Sequence, residues 1–151
     1  GGSLHELLRQ QLQPFSQDGQ IGLEGPEMTL RPVALQALGM AFHELATNSA
    51  KYGAFGHHGT VSISWSLSGK PYEQVFQLGW EEKAGSIVES AAHGHKARGF
   101  GSVVLLRVAP QTLNGSAHYD RSRGVLRWLL SAPAAAVIGD GDSDETSSDK
   151  A

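Results

Sequence analysis

The longest stretch with a helical repeat runs from Pro32 to Tyr52, and it limits the chain to folds in which one long helix packs on a core. Apolar or small residues recur along it at intervals of three and four: Leu35, Leu38, Phe42, Leu45 and Ser49. This spacing predicts an amphipathic helix with one buried face. Pro32 suits its first turn, and Thr29 is predicted to cap it. Gly53 is predicted to end it in a left-handed conformation.

The second half of this helix, residues 43–53, also carries a group of polar side chains. At about 100° per residue, Glu44, Asn48 and Lys51 fall within about 60° of one another around the axis, with Tyr52 beside them. Amide and carboxylate oxygens suit a hard cation, an ammonium suits phosphate oxygens, and an aromatic ring can lie against a base. The set is typical of a site for a magnesium-bound nucleotide polyphosphate, although an ordinary solvated helix face remains the alternative.

Three metal sites are considered and set aside. His43-Glu44 begins like a zinc protease helix, but Thr47 stands where the second histidine ligand belongs. The aspartates at 140, 142 and 144 imitate a calcium loop, but the sequence that follows lacks its glycine and its final glutamate. The histidine pairs at 57–58 and 93–95 have no third ligand at a defined spacing, so we interpret them as surface residues.

Composition argues against several further kinds of site and partner. A length of 151 residues with 40% hydrophobic content fits one globular domain, and the lack of cysteine excludes disulfides and cysteine metal sites, as is compatible with a cytoplasmic location. A net charge of -3 gives no electrostatic reason to expect a nucleic acid partner. Neither a membrane-spanning run nor a signal peptide is recognised, so no membrane contact is expected.

The chain is divided into three parts. Residues 1–3, Gly-Gly-Ser, resemble a cloning remnant, and this indicates a domain cut from a longer protein. Residues 4–133 are predicted to form the folded domain. Residues 134–151 become small and then acidic, and we expect them to be a disordered tail.

The folded part is predicted to be an α+β sandwich with a mostly antiparallel sheet and helices on one face. A helix is expected at 4–13, a short strand at 21–24, a hairpin at 61–67 and 72–82, a short helix at 102–108, and a closing hairpin at 116–119 and 125–132. Residues 83–101 are rich in Gly, Ala, His and Ser and have no periodicity. We expect residues 83–98 to form a mobile lid that nucleotide orders.

Four sequence boxes resemble those of the HWE subclass of bacterial sensor histidine kinases. The boxes, in chain order, are His43-Glu44-Leu45-Ala46-Thr47-Asn48-Ser49-Ala50-Lys51-Tyr52-Gly53 as the N box, Trp80-Glu81-Glu82 as the Trp-x-Glu signature, Gly99-Phe100-Gly101-Ser102 as the second glycine box, and Gly115-Ser116-Ala117 with Gly124-Val125-Leu126 as the closing hairpin. Their order and spacing agree over roughly residues 4–133, and four boxes in register are far more specific than any one of them.

The resemblance implies the Bergerat fold, a two-layer α/β sandwich shared with gyrase and MutL, with ATP and magnesium as cofactors. It implies that Asn48 binds magnesium, and that Glu44 serves the metal's water shell or a proton transfer. Lys51 would contact phosphates, Tyr52 would flank the adenine, and Glu82 would accept a hydrogen bond from its amino group.

By the same resemblance, the second glycine box lets the backbone approach the phosphates at a helix start, through Gly99, Phe100, Gly101 and Ser102. Arg98 is either a phosphate contact from the lid or a solvated charge. The subclass has Gly-Gly-Pro after Trp-x-Glu, and here Gly85 alone matches, within Ala84-Gly85-Ser86. His43 is expected to orient its neighbours in the catalytic set rather than to accept phosphate.

The activity that the resemblance implies is transfer of the γ-phosphoryl group of ATP to a histidine. That histidine would lie on a dimerisation domain that we do not recognise in this sequence, and a response regulator would act downstream. Two alternatives remain open: a nucleotide-binding regulatory module without transfer activity, and an ATP hydrolase or serine kinase of the same fold.

Overall fold

The structure is a computed structural model that describes residues 2–15, 19–83 and 103–139. In chain order its elements are β1 (Gly2–Ser3), α1 (Leu4–Leu12), β2 (Ile21–Glu24), β3 (Thr29–Leu30), α2 (Pro32–Tyr52), β4 (Thr60–Ser68), β5 (Val75–Lys83), α3 (a π-helical stretch, Val104–Val108, followed by an α-helical turn, Ala109–Thr112), β6 (Ser116–Ser122), β7 (Val125–Pro133) and α4 (Ala134–Val137). Short 3-10 turns, Gln13–Phe15 and Ala54–Gly56, follow α1 and α2.

The fold has two layers, one of helices and one formed by a mixed sheet. Its five strands lie in the order β2-β4-β5-β7-β6, with β2 parallel to β4 and the other neighbours antiparallel. The serine and apolar positions of β4 alternate between exposed and buried, so the helices cover one face, and in the described residues the other face is open. The predicted α+β sandwich with a mostly antiparallel sheet is confirmed.

Two neighbouring rows of cross-strand partners organise the covered face. One row is apolar and runs Ile63, Trp80, Trp128, Tyr119 from β4 to β6. The next row towards the end of the sheet runs Val61, Glu82, Leu126, Arg121. Side chains of one row lie on the same face because every second residue of a strand points the same way. The second row therefore brings a carboxylate and a guanidinium onto the helix side of the sheet.

The predicted bounds of α2 are confirmed, and Leu38, Phe42 and Leu45 on its apolar face are all buried. The predicted cap at Thr29 is wrong, because Thr29 lies in β3 and pairs with Ser3. Arg31 is the N-cap, and its side chain makes no capping bond. Pro32 has no N–H, and the Ala34 N–H donates to the Arg31 carbonyl at 2.9 Å, so few N–H groups of the first turn are left for a side-chain cap.

Residues just beyond both ends of the predicted domain, 4–133, also belong to the fold. Ser3 caps α1 by accepting a hydrogen bond from the Glu6 N–H at 3.3 Å, and β1 pairs with β3. After β7, helix α4 buries Val137, and the Gly139 N–H donates to the Thr29 carbonyl at 3.1 Å. The described fold thus includes residues 2–3 and 134–139, whereas residues 140–151 lie outside the described residues.

Three element boundaries differ from the predictions by three or more residues. Strand β5 begins at Val75 rather than at residue 72, and Tyr72 is 98% exposed in the preceding turn. Helix α3 continues to Thr112 instead of ending at residue 108, and β6 continues to Ser122. Lys83 is the last residue of β5. The rest of the predicted lid, up to residue 98, lies outside the described residues.

In the π-helical stretch of α3, Pro110 leaves one carbonyl without a helical donor, and Trp128 supplies a donor in its place. The Ala109 N–H donates to the Val104 carbonyl, five residues back. The same register would next pair residue 110 with the Leu105 carbonyl, but Pro110 has no N–H. The Leu105 carbonyl accepts instead from the Trp128 indole N–H at 3.0 Å, so β7 satisfies the carbonyl that Pro110 leaves without a helical donor.

Trp128→Phe should therefore destabilise the fold more than Trp65→Phe. Both indoles are buried and both donate to a carbonyl, but the acceptor of Trp65 belongs to the exposed Pro26. Water can replace the donor at Pro26, whereas a buried Leu105 carbonyl without a partner costs about 1–3 kcal/mol. Urea unfolding followed by circular dichroism measures both losses. Equal losses would contradict this account of α3.

Candidate functional site

A buried carboxylate lies where the end of α2 meets β5. Glu82 is 4% exposed, and both of its oxygens are hydrogen-bonded. Its Oε1 accepts from the Trp80 indole N–H at 3.1 Å, and its Oε2 accepts from the Ala54 backbone N–H at 2.8 Å. Removing a carboxylate from water is costly unless such donors replace the water, so this group is held in a defined position.

The turn after α2 is built around this carboxylate. The Ser49 hydroxyl accepts from the Phe55 N–H at 2.9 Å, and the Ser49 carbonyl accepts from the Gly53 N–H at 2.9 Å. Gly53 has φ -133 and ψ -145, so the predicted left-handed conformation is wrong. Glycine is needed for space instead, because a Cβ on Gly53 would lie 1.9 Å from Glu82 Oε2.

Gln20 holds the same turn from the other side. Its side-chain amide donates to the carbonyls of Ala54 and Gly59, at 3.3 and 3.1 Å. Its own carbonyl accepts from the Val61 N–H at 2.8 Å, which joins the segment before β2 to β4. The position of the Ala54 peptide is therefore fixed by the sheet as well as by Glu82.

A small recess opens next to Glu82, with a volume of about 240 Å³ including its mouth. Side chains of α2 form one wall, and residues of β5, β6 and β7 form the others. The lining residues are Leu45, Asn48, Ser49, Tyr52, Gly53, Glu82, Tyr119, Arg121 and Leu126. The space inside the recess that a water-sized molecule can occupy is about 10 Å³, far below the roughly 300–1,000 Å³ of ligand pockets. Residues 84–102, which continue from β5, lie outside the described residues.

The β6 side of the recess carries a tyrosine and an arginine. Arg121 Nη2 donates to the Tyr119 hydroxyl oxygen at 3.1 Å. Burial raises the pKa of the Tyr119 phenol above its ordinary value; the Arg121 guanidinium opposes this rise, and the Glu82 carboxylate adds to it. The phenol is therefore neutral near pH 7 and accepts the guanidinium N–H without an ion pair.

The predicted site residues are brought together only in part. Asn48 and Tyr52 are half-buried and line the recess with Glu82, while Glu44 is half-buried one turn before Asn48. Lys51 is exposed in the last turn of α2.

His43 is not among the lining residues. It is exposed, and its ring lies edge-on to Phe15 with 6.5 Å between centroids. Its place in the catalytic set stays a prediction without a contact to the recess in the described residues. The other predicted site residues lie outside the described residues: Gly85, Arg98, Gly99, Phe100, Gly101 and Ser102.

Sequence reasoning missed the contribution of the closing hairpin to the site. Tyr119 and Arg121 were not selected, although the hairpin itself was predicted. Alternation along β6 places both on one face, and the register pairs Arg121 with Leu126 and Leu126 with Glu82. The alternation of β5, extended through the register of β7 to β6, places Arg121 on the face of Glu82.

A larger depression lies on the open face of the sheet around Gly79, lined by serines of β4 together with Gln77, His118 and Leu129. No buried charged residue points into it, since the buried polar side chains of the described residues are Gln20, Ser49 and Glu82. We therefore place the candidate site at the recess beside Glu82, where a desolvated carboxylate is available for chemistry.

Among residues 2–15, 19–83 and 103–139, no three His, Asp or Glu side chains are grouped so that they could hold a metal ion. No helix within these ranges has the length and apolar character needed to cross a bilayer.

The chain is similar in sequence to curated blue-light-activated histidine kinases. One from Brucella ovis is 32% identical over 141 residues, which is 91% of this chain and 28% of that protein. The chain thus spans about 28% of the length of this curated relative. No profile of a known protein family matches it.

Solved structures share the fold. The histidine kinase domain of a blue-light-activated histidine kinase from Erythrobacter litoralis has a TM-score of 0.60 at 14% identity, over 87% of this chain and 59% of that one. The catalytic domain of the histidine kinase ThkA has a TM-score of 0.57 at 12% identity, over 87% of this chain and 93% of that one.

Gly53→Ala should destabilise the protein by about 1–3 kcal/mol, because the new Cβ displaces the Glu82 carboxylate from the Ala54 N–H. Gly39→Ala within α2 is the matched control, since outside its own helix the new Cβ would first meet Leu7 Cδ1, at 3.7 Å. Alanine at a helix interior should stabilise by about 0.5–1 kcal/mol. Chemical unfolding measures both changes, and an unchanged or stabilised Gly53→Ala protein would refute the proposed role of Gly53.

Proposed function

The chain belongs to the histidine kinase family, within the HWE subclass, and from this premise we propose that it binds ATP with magnesium at the recess beside Glu82 and donates the γ-phosphoryl group to a histidine of a dimerisation domain. Histidine kinases act in two-component signal transduction. The chain has the fold of their catalytic domains. Nucleotide binding, phosphoryl transfer and the acceptor are the proposed parts.

The observation that carries the proposal is the convergence of Glu82, Asn48 and Tyr52 on one recess. Each carboxylate oxygen has two lone pairs, and each oxygen of Glu82 accepts one hydrogen bond from the described residues. Glu82 can therefore accept a further N–H, as the amino group of adenine requires. The ring of Tyr52 is near enough to flank a base, and the Asn48 amide supplies a polar group on the same wall.

The donor set fits a magnesium ion that is held mainly by the nucleotide. Mg²⁺ usually keeps several waters and takes one or two protein oxygens plus phosphates, so it needs no cluster of three acidic groups. Asn48 would supply the amide oxygen, and Glu44, one turn earlier, would hold a bound water. The ion would neutralise charge on the phosphoryl groups.

The remaining catalytic work is positioning and charge neutralisation by this chain. Lys51 is exposed at the end of α2 and free to extend towards phosphate oxygens. We also assign phosphate contacts to Arg98 and to the backbone of Gly99, Phe100, Gly101 and Ser102. Gly85 and the rest of residues 83–98 would close over the nucleotide.

The acceptor is proposed to be a histidine outside the recess and on another domain. His43 lies on the same helix as Asn48, its ring is close to Phe15, and it does not line the recess, so we do not assign it as the acceptor. Phosphoryl transfer needs an acceptor nitrogen in line with the γ-phosphate. A separate helical hairpin that docks against the nucleotide meets this requirement, and a response regulator would then receive the group.

Asn48→Ala should abolish the magnesium-dependent part of ATP binding, because it removes the one amide oxygen offered to the metal. Gln36→Ala is the matched control: it removes an exposed amide from the same helix, and it should bind as the unchanged chain does. Titration calorimetry with a nonhydrolysable ATP analogue, with and without magnesium, measures the effect. Full magnesium dependence in the Asn48→Ala protein would refute the ligand assignment.

The chain alone should not acquire a phosphohistidine, but adding the histidine-bearing hairpin of its full-length protein should produce one. The label from radioactive ATP should be stable to alkali and labile to acid, and it should appear on the hairpin. A hairpin with the acceptor His→Gln is the control and should remain unlabelled. An alkali-stable, acid-labile label on this chain alone would show that one of its own histidines is the acceptor.

A further inference from the structure

His57 makes a contact that the sequence does not predict. His57 and His58 are both predicted to be surface residues, and His58 is exposed, but His57 is half-buried. The ring nitrogen Nδ1 of His57 lies 3.0 Å from the Gly53 carbonyl oxygen. A carbonyl oxygen can only accept a hydrogen bond, so Nδ1 carries a proton and donates it. The contact therefore fixes the tautomer of the neutral imidazole, with its proton on Nδ1.

The Gly53 carbonyl and the Ala54 N–H belong to one peptide group. The Ala54 N–H donates to Glu82 Oε2 at 2.8 Å. This peptide is thus held at both ends, by the imidazole at its oxygen and by the carboxylate at its N–H. A hydrogen bond that a peptide oxygen accepts polarises the peptide and makes its N–H a stronger donor, by about 10–30% per bond. Through the peptide, His57 therefore strengthens a bond that stabilises the buried carboxylate.

The main chain around His57 is fixed without its ring. A Cβ on Gly56 would collide with the Ala50 carbonyl oxygen, so the turn lies directly against the last turns of α2. The Ala54 carbonyl accepts from the backbone N–H groups of His57 and Gly59, at 3.1 and 2.8 Å. A change of the His57 side chain should therefore remove the bond from its ring while the turn keeps its path.

A helix cap is the simpler explanation of this histidine. The last carbonyls of a helix have no partner within it, and an imidazole at that end also suits the helix dipole. A cap alone would stabilise α2 and would leave the Glu82 carboxylate unaffected. The Gly53 carbonyl differs from an ordinary terminal carbonyl because the N–H of the same peptide binds that carboxylate.

We propose that His57 is a positioning residue of the candidate site, which holds the Glu82 carboxylate in its orientation through the peptide between Gly53 and Ala54. The benefit to a ligand rests on the proposed function, in which Glu82 accepts an N–H of the nucleotide. The positioning itself can be measured in the chain without nucleotide.

The unchanged chain provides the first test. At mildly alkaline pH, NMR of the ring nitrogens should show a protonated Nδ1 and an unprotonated Nε2 for His57. A neutral ring with its proton on Nε2 could not donate to the Gly53 carbonyl and would overturn the inference. This measurement needs no variant, so it does not depend on whether a substituted chain folds.

His57→Phe should move two proton resonances in opposite directions. The Ala54 amide proton should move upfield, because its peptide is no longer polarised. The Trp80 indole proton should move downfield, because the two oxygens of Glu82 share one negative charge and a weaker bond at Oε2 leaves more of it for Oε1. Unchanged resonances, or an upfield shift of both as in a loosened turn, would overturn the positioning role.

Two further variants and a control sharpen this result. His57→Asn should restore both resonances, since its amide nitrogen takes the place of Nδ1. His57→Gln places its amide nitrogen one bond further out and should behave as His57→Phe does. Because glutamine has no ring, agreement of the two excludes a ring-current effect, and His57→Gln decides the matter if His57→Phe unfolds. His118→Phe, the same change at an exposed position on the open face, should move neither proton.

Nucleotide affinity separates this inference from the proposed function. His57→Phe and His57→Gln should weaken magnesium-ATP about threefold, whereas His57→Asn and His118→Phe should bind as the unchanged chain does. Displacement of a fluorescent ATP analogue measures these affinities. An unchanged chain that binds no nucleotide refutes the proposed function, and the tautomer and the two resonances still decide the role of His57. Equal ATP affinity in the unchanged chain and in both weakened variants would overturn the role of His57 in the site.

Discussion

The hydrogen-bonded burial of the Glu82 carboxylate is the constraint on which the site depends. The charge is stable away from water only while the Trp80 indole and the Ala54 N–H both donate to it. The Ala54 N–H is available only because α2 ends at Gly53, where no Cβ intervenes. One carboxylate thus fixes the end of the long helix, the last residues of β5 and the turn that follows the helix.

The same arrangement prepares the recess for a ligand before one arrives. A carboxylate that is already desolvated and oriented pays little further cost when a donor approaches, and this is the advantage of a preorganised polar group. The opposite wall comes from α2, whose position is set by burial of Phe42 and Leu45. Asn48 and Tyr52 therefore line the recess with the carboxylate because core packing sets the position of the helix that carries them.

Periodicity predicted the elements well, and contacts between distant residues account for what it missed. The bounds of α2 and the alternation in β4 follow from repeats of 3.6 and 2 residues that are visible in the sequence. Thr29 does not cap α2, because its backbone pairs with Ser3 in a strand that ends before the helix begins. Gly53 was correctly selected for the wrong reason, since the decisive atom belongs to Glu82, 29 positions later. Arg121 enters the site only through register across three strands, which no local pattern contains.

The two cross-strand rows explain how a polar recess can exist beside a dense core. Trp80 and Trp128 fill the apolar row, and the Trp128 indole also satisfies the Leu105 carbonyl, so this row ties α3 to the sheet. The polar row with Glu82 and Arg121 lies one step closer to the end of the sheet. Packing losses are largest in the interior and smallest at such an end, so a ligand can be admitted there while the tryptophan row keeps its contacts. The position of the rows, more than any single residue, allows binding without opening the core.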